Sequence, residues 1–345
     1  MHVLVLVDME YGPAKIVHVG ENHNVMPVSA LGEVNMGSTR TLRNFVSFAK
    51  DKYPAERYLI SFYDHGGGWR GCCWDGTSTN DNLTMDEMGS ALCGAGGVDL
   101  VLFSAPCLMG AFESAYELRS CTNVYVASEA TNGYAWWFDP MGDLSETLHN
   151  TPGISNEDLG AFVIASIWDH RSRWSDRDWA ESLTMSAVRS NGLEAIEDQL
   201  DSLSALYIGG AERLRAHLDS IRVHITSFGS GAVDLYDFAA ELLNVELDDH
   251  IRTVLVGLQD AIENAVIADV HGGVWHDVHG RTVYLPDASS ASNMDTYVSP
   301  SYCLDLISDT RWPELLDSIA AYFPSPSRNA HISGPPLGNG FSVRR

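Results

Sequence analysis

Residues 57–69, RYLISFYDHGGGW, and residues 98–110, VDLVLFSAPCLMG, decide the fold that this sequence predicts. Each stretch begins with a short apolar run bounded by turn residues, and such a run predicts a buried strand of an α/β sheet. His65 and Cys107 each follow the carboxyl end of one predicted strand. Ligands bind at this edge of an open, mostly parallel sheet because loops and helix N-termini converge there. We therefore predict that a base and a nucleophile meet at one sheet edge.

The composition is that of a globular chain with an acidic surface. Its 345 residues are 45% hydrophobic, which is enough to bury one large core or two ordinary ones. The formal net charge of −25 repels phosphate backbones and anionic lipid, so we expect no nucleic-acid partner. The same carboxylates could bind Ca²⁺ in a few clusters, or could simply form an acidic surface.

The hydropathy pattern predicts no membrane insertion, because no apolar run reaches the roughly 18 residues that a spanning helix needs. The first residues, MHVLVLVDM, end their apolar run at Asp8 without a small-residue cleavage site. This pattern indicates a strand rather than a signal peptide. The compartment stays open: cytoplasmic for the chain as given, or secreted if a leader precedes it.

The spacing of the six cysteines indicates neither a metal site nor a disulfide scaffold. The cysteines stand at positions 72, 73, 93, 107, 121 and 303. A chain of this length does not need disulfides in order to fold. The adjacent pair Cys72 and Cys73 has two interpretations, a redox-sensitive pair or two small buried side chains.

The first part of the chain alternates strands and helices. Residues 3–7 and 15–19 predict two strands, followed by a polar loop to about Gly37. Ser38 then caps a helix with apolar residues on one face, and this helix ends near Tyr53. Together with the strand before His65, these elements predict a βαβ unit.

A second unit leads to the cysteine. Thr84 and Glu87 form a capping box for a short helix, which precedes the strand before Cys107. A helix over residues 108–119 is predicted to follow directly, and its positive N-terminal end would favour the thiolate form of the cysteine.

The predicted organisation changes after about residue 190. Residues 1–190 form an α/β domain, and residues 191–323 form a mostly helical region that contributes one strand near 281–285 to the core. The tail, residues 324–345, is rich in proline and glycine and is predicted to be disordered.

His65 and Cys107 can together perform nucleophilic catalysis. A cysteine attacks a carbonyl as thiolate, and a nearby imidazole favours that form and later protonates the leaving amine. Gly66 and the N–H of Cys107 are the natural oxyanion donors, because a glycine lets the backbone approach the substrate. From the residues alone, a buried cysteine and a satisfied core histidine remain the alternative. The histidines in HGGVWHDVHG, at positions 271, 276 and 279, could hold a metal or lie in a solvated loop.

Longer motifs extend this interpretation to a family. DHGGGW, the turn CLMG and the following AYELR resemble the clostripain family of cysteine peptidases, which is related to caspases, legumain and gingipains. Similar stretches are GEVNMGSTRTLRNFVSFAKDKYP, LTMDEMGSAL, VYVASEATNGYAWWF and GRTVYLP. The resemblance implies a caspase-like α/β/α sandwich with a mostly parallel central sheet. It also implies a cysteine endopeptidase that acts on proteins or peptides through a thioester acyl-enzyme, with His65 as catalytic histidine, Cys107 as nucleophile and Ca²⁺ as a possible activator.

The specificity residue departs from the family. The position two before the nucleophile is usually an aspartate that pairs with a substrate arginine or lysine, and here it is Ala105. Glu129 or Asp64 could supply the charge from elsewhere. The aromatic loop that follows could instead make the pocket apolar, or its rings could simply pack; these aromatic residues are Tyr134, Trp136 and Trp137.

Two further departures concern maturation and the start of the chain. Family members commonly cut themselves after a basic residue between the histidine and the cysteine, but Arg70 is the only basic residue there. Family members also usually carry a strand and a helix ahead of the strand that begins near Met1 in this sequence. Together with Ala105 and Pro106, the missing first strand leaves an alternative function, a binding or interaction protein that keeps the fold without efficient turnover.

Overall fold

A computed structural model describes residues 1–9, 11–20, 24–133, 137–208, 212–245 and 247–320. The strands are β1 (Val3–Val7), β2 (Ala14–Val19), β3 (Val25–Gly32), β4 (Leu59–Phe62), β5 (Cys72–Asp75), β6 (Asp81–Leu83), β7 (Val98–Phe103), β8 (Thr122–Ala127), β9 (Thr184–Arg189), β10 (Ser227–Gly229), β11 (Ala232–Asp234), β12 (Val266–His271) and β13 (Thr282–Tyr284). The helices are α1 (Thr39–Lys52), α2 (Met85–Gly94), α3 (Phe112–Glu117), α4 (Phe138–Asn150), α5 (Asn156–His170), α6 (Arg177–Glu181), α7 (Leu193–Ile208), α8 (Glu212–Ile221), α9 (Leu235–Leu243), α10 (Asp249–Ala265), α11 (Met294–Tyr297), α12 (Asp305–Asp309) and α13 (Trp312–Ala320). The tail predicted to be disordered, residues 324–345, lies outside the described residues.

A central sheet of five strands, in the order β12-β9-β8-β7-β4, carries the core. Strands β4, β7 and β8 pair in parallel, as the two apolar runs predict, whereas β9 is antiparallel to both β8 and β12. The sheet is therefore mixed, with only β9 reversed. The carboxyl ends of β4 and β7 lie side by side, which brings the loops that follow them to one edge.

Helices cover both faces of this sheet, which makes an α/β/α sandwich. Along β7, Val101 and Phe103 belong to an apolar cluster with α1, α2, α7 and α10, while Leu100 and Leu102 belong to a second cluster with α4 and α5. This alternation is the two-residue period of a strand that is buried on both faces.

The predicted first βαβ unit is wrong. β1, β2 and β3 form an antiparallel sheet of their own, and none of them pairs with β4. The tight turn at Gly12, where φ is 105°, connects β1 to β2 as neighbours. β3 forms within the segment predicted to be a polar loop. The sequence does not indicate this strand, because its side chains are almost all exposed and apolar and polar residues do not alternate there. α1 was predicted correctly, with Ser38 accepting a hydrogen bond from the Arg40 amide.

The glycine-rich loop after His65 contains the hairpin β5–β6, which the sequence did not indicate. Thr79 and Asn80 form its turn with φ values of 60° and 59°. The capping box that follows is confirmed: Thr84 accepts a hydrogen bond from the Glu87 amide, and the Glu87 carboxylate accepts one from the Thr84 amide.

The helix predicted over residues 108–119 begins at Phe112. Leu108 has φ 63°, a left-handed conformation that no continuing helix allows. The turn is instead tied to the segment after β8, because the Leu108 amide donates to Ala130 O at 3.0 Å and the Gly110 amide donates to Ser128 O at 2.7 Å. Cys107 therefore does not lie at a helix N-terminus.

The C-terminal region supplies a strand to the central sheet, but a different one from the strand predicted. Residues 266–271, in the region predicted to be mostly helical, form the edge strand β12. β13, near the predicted 281–285 strand, pairs with β11 in a small antiparallel sheet. Its first residue, Thr282, also forms an isolated bridge to Ala111, which places this sheet against the turn that follows Cys107.

Cys93, in the last turn of α2, and Cys121, just before β8, form a disulfide. No local pattern indicates this disulfide, because the two residues become neighbours only when α2 packs on the segment before β8. Among the described helices, none is long and apolar enough to cross a membrane.

Candidate active site

The turn that carries His65 is held in place by β5. The Cys73 amide donates to His65 O at 3.2 Å, and Gly66 forms an isolated bridge with Cys72. The Asp64 carboxylate accepts hydrogen bonds from the amides of His65 and Trp74, while burial raises the pKa of this carboxyl. Asp64 is thus bound within the turn, and the His65 side chain remains exposed.

Gly66 brings the histidine turn against the cysteine turn. A Cβ at this position would lie 2.7 Å from the Cys107 nitrogen and 2.7 Å from Pro106 Cβ, and it would also meet the Cys107 carbonyl oxygen. Only glycine allows this approach of the two backbones. The structure therefore brings together His65, Gly66 and Cys107, as the sequence predicts for neighbouring strand ends.

The sulfur of Cys107 is half-buried against Asn132. The Asn132 amide donates to Sγ at 3.3 Å, and Asn132 O lies 3.8 Å from Sγ as an acceptor for the thiol. The Asn132 side chain is anchored by its Nδ2, which donates to Ser104 O at 2.7 Å. A backbone N–H directed at sulfur stabilises the thiolate. Asn132 could not be predicted from the sequence, because a main-chain donor leaves no signature in residue type.

The backbones of Gly66 and Cys107 lie against each other, since a Cβ at Gly66 would be 2.7 Å from the Cys107 nitrogen. Within the described residues, neither amide donates to a backbone carbonyl oxygen. Two free N–H groups beside a nucleophile are the arrangement that an oxyanion requires.

Ala105 is buried in the strand-to-turn connection, with 5% of its surface exposed. Of the three aromatic residues in the predicted specificity loop, Tyr134 and Trp136 lie outside the described residues. Trp137 is 2% exposed and packs in the apolar cluster under α4 and α5. Its side chain is therefore part of the core rather than an open wall.

Glu129 does not present its charge to solvent. It is 1% exposed, and its Oε2 accepts a hydrogen bond from the Gly280 amide at 3.1 Å. Burial raises the pKa of this carboxyl well above the usual range. The expectation that Glu129 replaces the missing pocket aspartate is corrected by this placement, because a substrate cation has no access to the carboxylate.

Cys72 and Cys73 are buried free thiols whose sulfurs lie 3.4 Å apart. Burial raises the pKa of Cys72 well above the usual thiol value, which suppresses the thiolate that oxidants attack. This agrees with the interpretation of the pair as two small packed side chains.

The three late histidines do not form a metal centre in the described structure. His279 stacks on Tyr236 with ring centroids 4.1 Å apart, and its Nδ1 lies 3.5 Å from Asp234 Oδ1. Across the described ranges, no group of three or more histidine, cysteine, aspartate or glutamate side chains could hold a metal ion. We therefore assign no ligands for Ca²⁺.

A family model described as the clostripain family matches residues 1–318. The chain belongs to the clostripain family of cysteine peptidases. Clostripain from Hathewaya histolytica is 31% identical over 146 residues, which cover 36% of this chain. The match spans 27% of the length of that clostripain.

Solved structures of family members confirm the caspase-like fold. A secreted C11 cysteine protease from Bacteroides thetaiotaomicron, in complex with an irreversible peptide inhibitor, has a TM-score of 0.66 at 15% identity, covering 92% of this chain and 89% of that chain. An inactive zymogen C11 protease from Parabacteroides distasonis has a TM-score of 0.67 at 16% identity, covering 90% and 87% respectively.

Proposed function

We propose that this clostripain-family chain is a cysteine endopeptidase that uses a His65–Cys107 dyad to cleave proteins or peptides through a thioester acyl-enzyme. The observation that carries the proposal is the packing of Gly66 on the backbone of Cys107, which sets the two turns side by side. The Asn132 amide, 3.3 Å from Sγ, adds a hydrogen-bond donor that holds the sulfur in place.

The reaction follows from this arrangement. His65 accepts the thiol proton, and Sγ attacks the substrate carbonyl carbon. The oxygen becomes negative and is bound by the N–H groups of Gly66 and Cys107. When the tetrahedral intermediate collapses, the imidazolium of His65 protonates the leaving amine, and a thioester remains on Cys107. A water molecule, deprotonated by His65, then hydrolyses the thioester and restores the thiol.

The residue preference differs from that of relatives with an aspartate at position 105. Ala105 provides no carboxylate for a guanidinium or ammonium group, and Glu129 is enclosed by protein. An unpaired cation in a buried pocket is costly, so strong selection for arginine or lysine is not expected. We propose Ala105 as part of a pocket that accepts uncharged side chains, with Tyr134 and Trp136 as further candidate walls.

A peptide library with every residue type before the scissile bond tests the activity and its preference. Mass spectrometry of the products should show cleavage by the wild-type chain, with no enrichment of Arg or Lys before the cleaved bond. Cys107→Ala should abolish cleavage, while Cys303→Ala, which removes an exposed cysteine, should not. Persistent cleavage by Cys107→Ala would contradict the mechanism. Adding Ca²⁺ to one arm tests the activation that the family resemblance implies.

Ala105 also motivates a second function, a binding protein that keeps the fold without efficient turnover. In that case the wild-type chain would retain a peptide from the library without cutting it. Its affinity for that peptide would be the same in Cys107→Ala.

A further inference from the structure

Two carboxyl groups are buried together beneath the turn that carries Cys107. Glu129 follows β8 and is 1% exposed, and Asp234 ends β11 and is 0% exposed. The amides of the adjacent residues His279 and Gly280 donate to Asp234 Oδ2 at 2.7 Å and to Glu129 Oε2 at 3.1 Å, which sets the two carboxyl groups beside each other. They join the central sheet to the C-terminal region at the level of the nucleophile.

The hydrogen-bond donors around Glu129 and Asp234 indicate which of the two carboxyl groups carries a proton. Asp234 Oδ1 accepts from the Asp237 amide at 2.7 Å, and Asp234 Oδ2 accepts from the His279 amide at 2.7 Å. Glu129 Oε2 accepts from the Gly280 amide, but Glu129 Oε1 has no hydrogen-bond donor among the described residues. Two ionised carboxylates only accept hydrogen bonds, so their contact requires a proton on one of them. Both oxygens of Asp234 already accept from amides, whereas Glu129 Oε1 has no other partner in the described structure, so we assign the proton to Glu129.

The surrounding charges agree with a single negative charge in this pair. Arg281 is 1% exposed, and its Nη2 donates to Ser186 Oγ at 3.0 Å, while its Nε and Nη1 have no hydrogen-bond partner in the described structure. The charge of this buried cation acts on Glu129.

The other charged groups lie around Asp234 rather than around Glu129. His279 approaches Asp234, and the charges of Asp234, Asp269 and Asp237 all act on this histidine. The Asp237 carboxylate accepts a hydrogen bond from the Thr226 amide at 2.6 Å.

Glu129 also lies directly behind the nucleophile turn. A Cβ at Gly110 would be 2.7 Å from the Glu129 nitrogen and 2.8 Å from its Cγ. The residues on either side of Glu129 hold the turn through the hydrogen bonds Gly110 N to Ser128 O and Leu108 N to Ala130 O. A displacement of Glu129 would therefore move the carbonyl groups that hold Leu108 and Gly110.

We propose that Glu129 is a positioning residue that acts in its neutral form: it donates a hydrogen bond to Asp234 and thereby fixes the Cys107 turn. Its effect on catalysis rests on the proposed peptidase function, whereas the shared proton and the fixed turn do not. Loss of the proton at alkaline pH places two adjacent negative charges in the core and releases the turn.

Infrared spectroscopy of the full chain in D₂O tests the shared proton. The protonated-carboxyl region at neutral pD should contain one band in the wild-type chain that disappears in Glu129→Gln, beside the absorption of other buried carboxyls such as Glu117. The matched control is Glu117→Gln, which removes another buried carboxyl and should leave that particular band unchanged. The proposal is overturned if the difference spectrum between wild type and Glu129→Gln shows an ionised carboxylate instead.

Hydrogen exchange of the Leu108 and Gly110 amides tests the fixed turn without requiring activity. Protection factors, corrected for intrinsic exchange, should fall at least tenfold in Glu129→Ala and be restored in Glu129→Gln, whose amide also donates to Asp234. Protection in the wild type should fall at alkaline pH, while Glu129→Gln should show no such fall, and the Met88 amide in α2 serves as internal reference. Equal protection in all three chains at all pH values would contradict the proposal. The wild-type pH series gives this answer even if Glu129→Ala fails to fold.

The pH profile of Cys107 labelling by a peptidyl acyloxymethyl ketone gives the catalytic readout. The alkaline decrease in labelling rate expected for the wild type should be absent in Glu129→Gln and unchanged in Glu117→Gln. No labelling in any variant would contradict the proposed peptidase function, while the infrared and exchange results would still decide the role of Glu129.

Discussion

At the scale of single residues, Gly66 has the most direct effect on the geometry of the site. Gly66 lies against the Cys107 backbone. A Cβ at this position would collide with the Cys107 main chain and with the Pro106 side chain. A collision with backbone cannot be relieved by a rotamer change, so one of the two turns must move. The proposed oxyanion donors belong to these same two turns, which makes their separation sensitive to this contact.

We expect Gly66→Ala to lower kcat/KM by about 100-fold or more, because one oxyanion donor is typically worth about this much. The chain should remain folded, since the collision is local. The matched control is Gly76→Ala, at a glycine with open space around it. Steady-state kinetics on a cleaved library peptide measures the effect, and an unchanged kcat/KM in Gly66→Ala would contradict the proposed oxyanion site.

The sequence predicts His65, Gly66 and Cys107 because their types and their positions after apolar runs both carry information. It could not predict Asn132, whose contact with the sulfur uses a main-chain N–H that every residue except proline has. The burial of Glu129 could not be predicted either, because its carboxylate is bound by the amide of Gly280, a residue far away in the chain.

At the scale of elements, the strands that carry the site are the parts that local sequence specifies best. β4 and β7 are apolar runs bounded by turns, and both form where they are predicted. β12 was missed because its first residues continue the apolar pattern of α10, and a short apolar run does not distinguish helix from strand. The turn after Cys107 was missed because Leu108 adopts a positive φ that only tertiary hydrogen bonds from the segment after β8 explain.

The Cys93–Cys121 disulfide should stabilise the connection between α2 and β8. It closes a loop with a sequence separation of 28, for which the chain-entropy relation gives about 3–4 kcal/mol. The double variant Cys93→Ser/Cys121→Ser should lose roughly that amount in denaturant unfolding at equilibrium. Cys303→Ser, at an exposed free cysteine, is the control and should change little. A loss below about 1 kcal/mol in the double variant would contradict the expected role of the disulfide.

At the scale of the whole molecule, the C-terminal region encloses the helix that follows the nucleophile. Glu113, in α3, is 1% exposed and accepts hydrogen bonds from the Tyr284 amide at 2.8 Å and the Tyr297 hydroxyl at 3.0 Å. Glu117, in the same helix, accepts one from the Asp305 amide at 2.7 Å. Such pairings across more than 150 residues cannot be read from local patterns, because each carboxyl is only another acidic residue in the sequence.

Glu117 should make folding stability dependent on pH. Burial raises its pKa to about 7, so the folded chain keeps a proton that the unfolded chain releases above the usual glutamate range. Its contribution to stability is fully present below about pH 4.5 and is lost as pH rises through about 7, with a slope of at most about 1.4 kcal/mol per pH unit. Chemical denaturation across this range should show a smaller slope for Glu117→Gln than for the wild type. Equal slopes would contradict the prediction, and Glu56→Gln, at an exposed position, is the control.

The most direct test of the central claim is covalent labelling of the full chain by a panel of peptidyl acyloxymethyl ketones, with the modified residue located by mass spectrometry. The panel should carry basic, acidic, Asn and aromatic residues before the reactive group. We predict one label per chain on Cys107 from at least one member, no label in Cys107→Ala, and labelling slowed by about 100-fold or more in His65→Ala. Labelling of a different cysteine, an unchanged rate in His65→Ala, or no labelling by any member with Ca²⁺ present would contradict the claim that His65 and Cys107 form a catalytic dyad.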